Sequence, residues 1–218
     1  MLKVIGINGS PRRGFNTDLM VQNALRGAEA AGHKTKLYHL SEIKFTGCRS
    51  CLYCKQTPET AGHCATDDDL APILKEIRES DALVFGSPVY FSFLSGLAHN
   101  FYERLMFSNS RYYPGFPSAF PKKLPTLMIY TMNMPEDMAR KRGFLKTFEA
   151  LKESMSHVFN YPQKVICAYN TQQVKDYSKY DIKCFDPKDK YRSREKQFPK
   201  DLEKAYDAGF NLIPKKIK

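Results

Sequence analysis

The first forty residues carry an apolar segment, a polar loop and an amphipathic segment in immediate succession, and this order strongly constrains the fold. Residues 2–8 (LKVIGIN) form a short apolar run that is typical of a buried parallel strand. Beyond the loop, apolar side chains recur at helical spacing, with Asn16 or Thr17 as the expected N-cap and Gly32 just past the end. Residues 34–40 predict a second strand. The segment therefore predicts a β-α-β unit with a right-handed crossover.

The alternation of strand and helix patterns continues along the chain. Three further apolar runs predict strands at 82–91, 125–132 and 165–170. Amphipathic patterns predict helices near residues 67–77, 97–105, 136–159 and 201–212. Such alternation implies a mostly parallel sheet that is covered on both faces. We expect an α/β, flavodoxin-like three-layer sandwich with a five-stranded parallel sheet in the order 2-1-3-4-5.

The chain of 218 residues is compatible with one domain and an additional arm. Residues 1–170 are expected to form the flavodoxin-like domain, with a cysteine-containing insertion at about 46–66. Residues 171–200 are polar and show no strong periodicity. We expect residues 171–218 to form a C-terminal arm and helix that belong to the same domain or to an oligomer contact.

Ligands of such folds bind beyond the carboxyl ends of the strands, where the strand order reverses. This rule selects three loops, at 9–17, 87–95 and 131–136. The first, SPRRGFNT (10–17), offers backbone N–H groups, hydroxyls, an amide, two arginines and a helix N-terminus, which together suit a dianionic phosphate. It matches neither the P-loop nor the dinucleotide glycine motif. The plain alternative is an ordinary strand-to-helix turn.

Four of the six cysteines are clustered with the spacing C-x2-C-x2-C-x9-C. Four thiolates are the number that a [4Fe-4S] cluster requires. Plain thiols, zinc or a redox-active pair remain open, although structural zinc usually uses two separated pairs. The four candidate metal ligands are Cys48, Cys51, Cys54 and Cys64. Of the other two, Cys167 lies inside a predicted strand and Cys184 has no partner in the sequence.

The motifs GINGSPRRGFNT and GSPVYF (86–91), in this order, resemble the NADPH-dependent FMN reductase family of flavodoxin-like proteins. The intervening CRSCLYC segment makes the chain most similar to the iron-sulfur flavoproteins and their multimeric flavodoxin relatives. The resemblance covers roughly residues 1–170. One departure concerns Cys64, because iron-sulfur flavoproteins typically place the fourth cysteine nearer to the other three.

The resemblance implies FMN as cofactor and assigns site residues by position. The FMN phosphate would be held by Ser10, Arg12, Asn16 and Thr17. The isoalloxazine would be bordered by Pro88, Val89, Tyr90 and Phe91, two of which, Tyr90 and Phe91, could instead pack under the next helix. The other side of the ring would be lined by Thr131, Met132 and Asn133, where the family often has glycines. No catalytic side chain is implied, because the flavin N5 accepts the hydride and the protein supplies orientation and electrostatics.

Two mechanisms follow from the resemblance. In the first, NAD(P)H reduces bound FMN, which then reduces free flavin, a quinone or another small acceptor. In the second, a [4Fe-4S] cluster relays single electrons between FMN and an acidic carrier such as ferredoxin. In both cases the protein is expected to be an enzyme or electron carrier of the flavin-dependent oxidoreductase class.

The net charge of +11 indicates which classes of partner the protein could bind. The excess of basic residues lies after residue 110, which suits an acidic carrier, a phosphorylated cofactor or simply a solvated face. A nucleic-acid-binding protein is a remote alternative, since no reading motif is present. Apolar runs are too short for a signal or a membrane span, so a cytoplasmic protein without membrane contact is expected. The aromatic loop 109–124 and the arm 171–200 predict a homodimer or homotetramer.

Overall fold

A computed structural model describes residues 1–214. Its central sheet contains five parallel strands in the spatial order β2-β1-β3-β5-β6, and the two-residue β4 pairs antiparallel with β3. The strands are β1 Lys3–Asn8, β2 Lys34–His39, β3 Ala82–Tyr90, β4 Phe93–Leu94, β5 Thr126–Thr131 and β6 Lys164–Ala168. The predicted five-stranded order is confirmed for the long strands.

Seven helices cover the two faces of the sheet within the described residues. They are α1 Asn16–Ala30, α2 Leu70–Glu79, α3 Gly96–Asn109, α4 Glu136–Lys141, α5 Phe144–Val158, α6 Pro187–Lys196 and α7 Phe198–Phe210. Buried side chains from α2, α3 and α5 form one apolar core against the sheet. Those from α1 and α7 form a second core on the opposite face. The predicted three-layer architecture is therefore confirmed.

The packing of α1 on α7 depends on two glycines. A Cβ on Gly27 would lie 2.0 Å from the carbonyl oxygen of Tyr206, and one on Gly209 would lie 1.9 Å from that of Ala24. Both contacts involve backbone atoms, which cannot move aside as a flexible side chain could. The absence of a side chain at these positions thus sets the distance between the two helices.

Several predicted boundaries were wrong. The helix expected at 136–159 is two helices, because Gly143 adopts a left-handed conformation with φ of 77° between them. Helix α6 lies in the arm, where no regular element was expected, and α7 begins at Phe198 rather than near residue 201. Helix α1 has Phe15 as its N-cap residue instead of Asn16 or Thr17. Within residues 1–214, no helix is long and apolar enough to cross a membrane.

Candidate functional site

A cavity of about 760 Å³ opens at the carboxyl edge of the sheet. It is formed by the loops after β1, β3 and β5 and by the arm that follows β6. A volume of this size suits a cofactor or substrate. All eleven residues that the sequence predicted for cofactor binding line it: Ser10, Arg12, Asn16, Thr17, Pro88, Val89, Tyr90, Phe91, Thr131, Met132 and Asn133.

The loop between β1 and α1 is held by its own hydrogen bonds. The amide of Ser10 donates to Asn8 Oδ1 (2.9 Å), and the amide of Arg12 donates to Ser10 Oγ (3.1 Å). Gly14 has a φ of 63° and donates its amide to Asp18 Oδ2 (2.6 Å). No side chain caps the N-terminus of α1, so its first amides still lack a side-chain acceptor.

A buried polar network lies beneath this loop. Asp18 is 1% exposed and accepts a hydrogen bond from Asn8 Nδ2 (3.1 Å), which also contacts His39 Nδ1 (3.1 Å). The carboxylate therefore fixes the loop from below rather than facing the cavity. Sequence reasoning did not identify Asp18, although a first-turn acid of a helix is a recognisable signal.

Two predicted phosphate ligands contact the arm. Arg12 Nη1 donates to the carbonyl oxygen of Gln173 (2.6 Å), and Asn16 Nδ2 donates to that of Gln172 (2.8 Å). Arg194, on α6, donates to Asn16 Oδ1 (3.0 Å). The arm is thus attached to the first loop. Arg12 keeps further N–H donors for a ligand.

The hairpin of β3 and β4 places two aromatic rings at the cavity. Tyr90 is 44% exposed and Phe91 is fully exposed. Phe91 and Ser92 form the two-residue turn with φ of 49° and 69°, a conformation that L side chains rarely adopt. Such a turn projects a large apolar side chain with no cover from the rest of the chain.

The loop after β5 is connected to the first loop and to α6. Thr17 Oγ1 and Thr131 Oγ1 are 2.7 Å apart, and Asn133 Nδ2 donates to Gln173 Oε1 (2.9 Å). Lys190 is buried and donates to the carbonyl oxygen of Asn133. Burial lowers the pKa of Lys190 to about 8, against the opposing effect of Asp189.

The arm supplies the remaining wall of the cavity. Sequence reasoning assigned the arm to the same domain or to an oligomer contact and missed its contribution to the cavity, because the segment has no periodicity or motif that would reveal it. The arm residues that line the cavity are Thr171, Gln173, Asp181, Ile182, Lys183 and Cys184.

The four clustered cysteines line a second, small cavity of about 20 Å³ together with Arg104. Cys48 and Cys51 are exposed, whereas Cys54 is buried and Cys64 is intermediate. Burial raises the pKa of the Cys54 thiol, and the nearby Cys64 and Cys48 act in the same direction. Within residues 1–214, no three His, Cys, Asp or Glu side chains are arranged to hold a single metal ion. The four cysteines nevertheless line one shared cavity.

Arg104 is the buried charged group of this cavity, which the exposed Arg49 also lines. Burial lowers the pKa of its guanidinium, but the hydrogen bond to Asp68 and the proximity of Cys64 outweigh that effect and raise the pKa overall. The residue therefore remains a buried cation beside the cysteines.

Comparison with known proteins supports the assignment of fold and family. A family model described as NADPH-dependent FMN reductase matches residues 2–128. An iron-sulfur flavoprotein of Methanocaldococcus jannaschii is 40% identical over 94 residues, which are 43% of this chain and 47% of that protein. One from Archaeoglobus fulgidus is 30% identical over 142 residues, 63% of this chain and 59% of that protein. The chain thus spans about half the length of the curated relatives it matches.

Solved structures share the fold. The NAD(P)H:quinone oxidoreductase from Methanothermobacter marburgensis has a TM-score of 0.72 at 14% identity, over 97% of this chain and 99% of that one. At this identity the likeness demonstrates the architecture alone. The family model, however, covers more than half of the sequence. The chain therefore belongs to the NADPH-dependent FMN reductase family.

Proposed function

We propose that this protein is an FMN-dependent oxidoreductase that holds the cofactor in the cavity at the carboxyl edge of the sheet. The observation that carries the proposal is the convergence of eleven residues from three segments, 10–17, 88–91 and 131–133, on one cavity. Bound FMN would supply hydride and single-electron chemistry at the isoalloxazine. The donor would be NAD(P)H, and the acceptor a free flavin, a quinone or another small molecule.

The first loop suits the phosphate of FMN. Free amides at the N-terminus of α1, the hydroxyls of Ser10 and Thr17 and the Arg12 guanidinium provide hydrogen-bond donors and positive charge. Asp18 is buried and accepts a hydrogen bond from the amide of Gly14, so its carboxylate does not repel the phosphate at contact distance. This arrangement would orient the cofactor from its phosphate end.

The other two loops suit the flavin ring. Val89, Tyr90 and Phe91 offer apolar surface on one side, and Met132 with Asn133 offers mixed surface on another. Lys190 fixes the backbone of Asn133 and adds a nearby buried charge. These residues would exclude water from the ring and hold it against an incoming donor.

A comparison of FMN with riboflavin tests the phosphate site. We expect much tighter binding of FMN, and an Arg12→Gln variant should reduce the preference about tenfold, as expected for loss of a charged hydrogen bond. Arg26→Gln changes an exposed arginine of α1 and is the matched control. This variant should leave the preference for FMN over riboflavin unchanged. Equal affinity for FMN and riboflavin in the unmodified protein would contradict the proposed phosphate site.

Anaerobic stopped-flow mixing tests the activity. NADPH should bleach the flavin absorbance of the FMN-loaded protein, and a quinone should restore it. A flavin that neither NADPH nor NADH reduces would show that the nicotinamide route is wrong.

A second function is favoured by the cysteine cavity. Four cysteines of one motif line the same cavity, and several relatives are named iron-sulfur flavoproteins. We propose as the alternative that a [4Fe-4S] cluster held by Cys48, Cys51, Cys54 and Cys64 relays electrons between FMN and an acidic carrier of the ferredoxin type. Since the cavity has a volume of about 20 Å³, the segment that carries Cys48 and Cys51 would have to open around a cluster.

Iron and sulfide assays on anaerobically purified protein separate the two functions. About four irons and four sulfides per chain, with broad brown absorption, would support the relay. A two-band flavin spectrum without iron after reconstitution would rule it out. If the cluster is present, faster reduction of the bound FMN by ferredoxin than by NADPH would identify ferredoxin as the electron donor.

An oligomer remains part of the proposal. Tyr112, Tyr113 and Phe116 in the loop before β5 are each more than half exposed, which suits a contact with a second copy. Gel filtration that gives a single species near 25.1 kDa would contradict the homodimer or homotetramer.

A further inference from the structure

Arg104 has an unusual environment for an arginine. Its side chain is fully buried, whereas most arginines of folded proteins are exposed. Nη1 donates to Asp68 and to the carbonyl oxygen of Thr46 (3.3 Å), and Nη2 donates to that of Thr66 (3.1 Å). Within residues 1–214, its Nε–H has no hydrogen-bond partner. The residue therefore has one buried donor to spare.

An unused buried donor is costly. Leaving such a group without a partner destabilises a fold by about 1–3 kcal/mol, and more where the group is charged. Polar groups of this kind are usually paired, so a persistent exception requires an explanation. At Arg104 the explanation lies in the cavity that its side chain lines.

That cavity is the one formed by the four cysteines. Two other cations are near them. Arg49 also lines the cavity but is exposed, and Lys55 acts on Cys54 while its Nζ donates to the carbonyl oxygens of Phe107 and Ser110. The guanidinium of Arg104 is held in place by hydrogen bonds to Asp68, Thr46 and Thr66. The free Nε–H thus belongs to a rigid cation beside a set of sulfur atoms.

We propose that Arg104 is a positioning residue of the cysteine centre, which donates its Nε–H to sulfur there and raises the reduction potential of the cluster bound by the four cysteines. This inference rests on the cluster relay proposed above. Hydrogen bonds to sulfur and net charge are two of the factors that set the potential of iron-sulfur clusters. Reduction adds one electron and no proton to the cluster, so a fixed buried cation stabilises the reduced form.

The test is a one-electron redox titration with dithionite as the reductant, followed by the EPR signal of the reduced cluster. In Arg104→Gln we expect the reduction equilibrium constant to fall at least about tenfold, a shift of about 59 mV to lower potential. Arg78→Gln is the matched control. Arg78 is a partly buried arginine that donates to Asn109 and Ala119 but does not line the cavity. Its variant should keep the potential of the unmodified protein.

Asp68→Asn gives a second measurement with the opposite sign. The substitution removes the negative charge of Asp68 that faces Arg104, so the reduction potential of the cluster should rise. A merely structural role of the pair would move both variants in the same direction. Far-UV circular dichroism and FMN binding report whether each variant is folded, independently of the cluster.

The outcomes separate the two proposals. Absence of iron and sulfide in the reconstituted unmodified protein would overturn both the relay and this inference. A cluster whose potential does not change in Arg104→Gln would overturn the inference and leave the relay intact. Should Arg104→Gln fail to retain the cluster, Asp68→Asn decides: a higher potential supports the role of Arg104, and an unchanged or lower one overturns it.

Discussion

Phe91 combines an unfavourable backbone conformation with full exposure of an aromatic ring. Its φ of 49° is in the left-handed region, which costs a non-glycine residue about 1–2 kcal/mol. The exposed ring gains nothing from the protein core. Because Phe91 also lines the cavity, we attribute this combination to a ligand that covers the ring, the flavin of the proposed site.

This interpretation predicts opposite effects of Phe91→Gly on stability and on binding. Without FMN, the variant should be more stable than the unmodified protein by up to about 1 kcal/mol, because glycine adopts the turn without strain. Binding of FMN should weaken about threefold to tenfold through loss of the aromatic contact. Urea unfolding and flavin fluorescence titration measure the two quantities.

Phe116→Gly is a closely matched control. Phe116 is also exposed, has a φ of 46° and lies outside the proposed flavin cavity. Its variant should gain similar stability and keep the affinity for FMN. If the Phe91→Gly variant binds FMN as tightly as the unmodified protein does, the ring of Phe91 does not contact the cofactor.

At this scale the sequence predicted which residues surround the cavity but not how they are held. Ser10 and Asn133 follow predicted strands and Tyr90 lies at the end of one, so the topology alone brings them together. Asp18, Lys190 and Arg104 depend on burial by segments far away in the chain. Burial of a charged side chain leaves no periodic pattern, which is why these three were missed.

At the scale of elements, Glu76 ties α2 to the first two strands. Its carboxylate contacts Lys3 of β1 (2.7 Å) and accepts hydrogen bonds from Lys36 and Tyr38 of β2. Burial opposes ionisation, but the three partners outweigh it and lower the pKa of Glu76 from 4.5 to about 2. The carboxylate is therefore more stable in the folded chain than in the unfolded one.

The lowered pKa fixes the pH range in which Glu76 contributes. Above about pH 4.5 the contribution is fully present, at about 3 kcal/mol for a shift of this size. It decreases as the pH falls, because the unfolded chain then binds the proton more readily, and is lost near pH 2. Urea unfolding should show Glu76→Gln less stable at pH 7 and the difference vanishing in acid. Glu149→Gln is the control, because Glu149 belongs to an exposed ion pair and its replacement should have little effect at either pH. A loss of stability in Glu76→Gln that is the same at both pH values would contradict the lowered pKa of Glu76.

The contact between α1 and α7 gives a second prediction for the elements. Gly27→Ala places a methyl group against a backbone oxygen, so we expect a loss of about 1–3 kcal/mol or more in the free energy of unfolding. Gly96→Ala is the control, because no atom lies within 4 Å of its added Cβ. That change should be neutral or slightly stabilising. Similar stability of both variants would show that the helices can separate at little cost.

The differences between predicted and observed elements have local causes. Strands β1, β3 and β5 are mostly buried and largely apolar, and such runs are readily found in a sequence. Helix α6 is strongly polar, with Lys190 as its buried residue, so it shows no apolar face. Its start is nevertheless encoded by Asp186, whose side chain accepts from the amide of Lys188, followed by Pro187. A search for caps rather than for apolar periodicity would have found it.

For the whole molecule, the arm makes the proposed cofactor site dependent on the C-terminal quarter of the chain. The arm lines the cavity, and its carbonyl oxygens at 172 and 173 accept hydrogen bonds from Asn16 and Arg12. Segments 171–186 and 10–17 are therefore coupled although they are far apart in sequence. The division into a domain of residues 1–170 and a separate arm remains a prediction. The contacts show that the arm contributes to the same cavity.

This coupling predicts that FMN stabilises the arm more than other exposed segments. A bound ligand lowers the population of locally open states in the segments that it contacts. The backbone amides of residues 171–186 should therefore exchange with solvent more slowly in the presence of saturating FMN. Residues 110–118, which carry exposed aromatic side chains but do not line the cavity, serve as the internal control. Hydrogen exchange followed by mass spectrometry, with and without FMN, compares the two segments in one sample. Slower exchange limited to the first loop and the β3–β4 hairpin would place the cofactor away from the arm, and the arm would then be a structural support only.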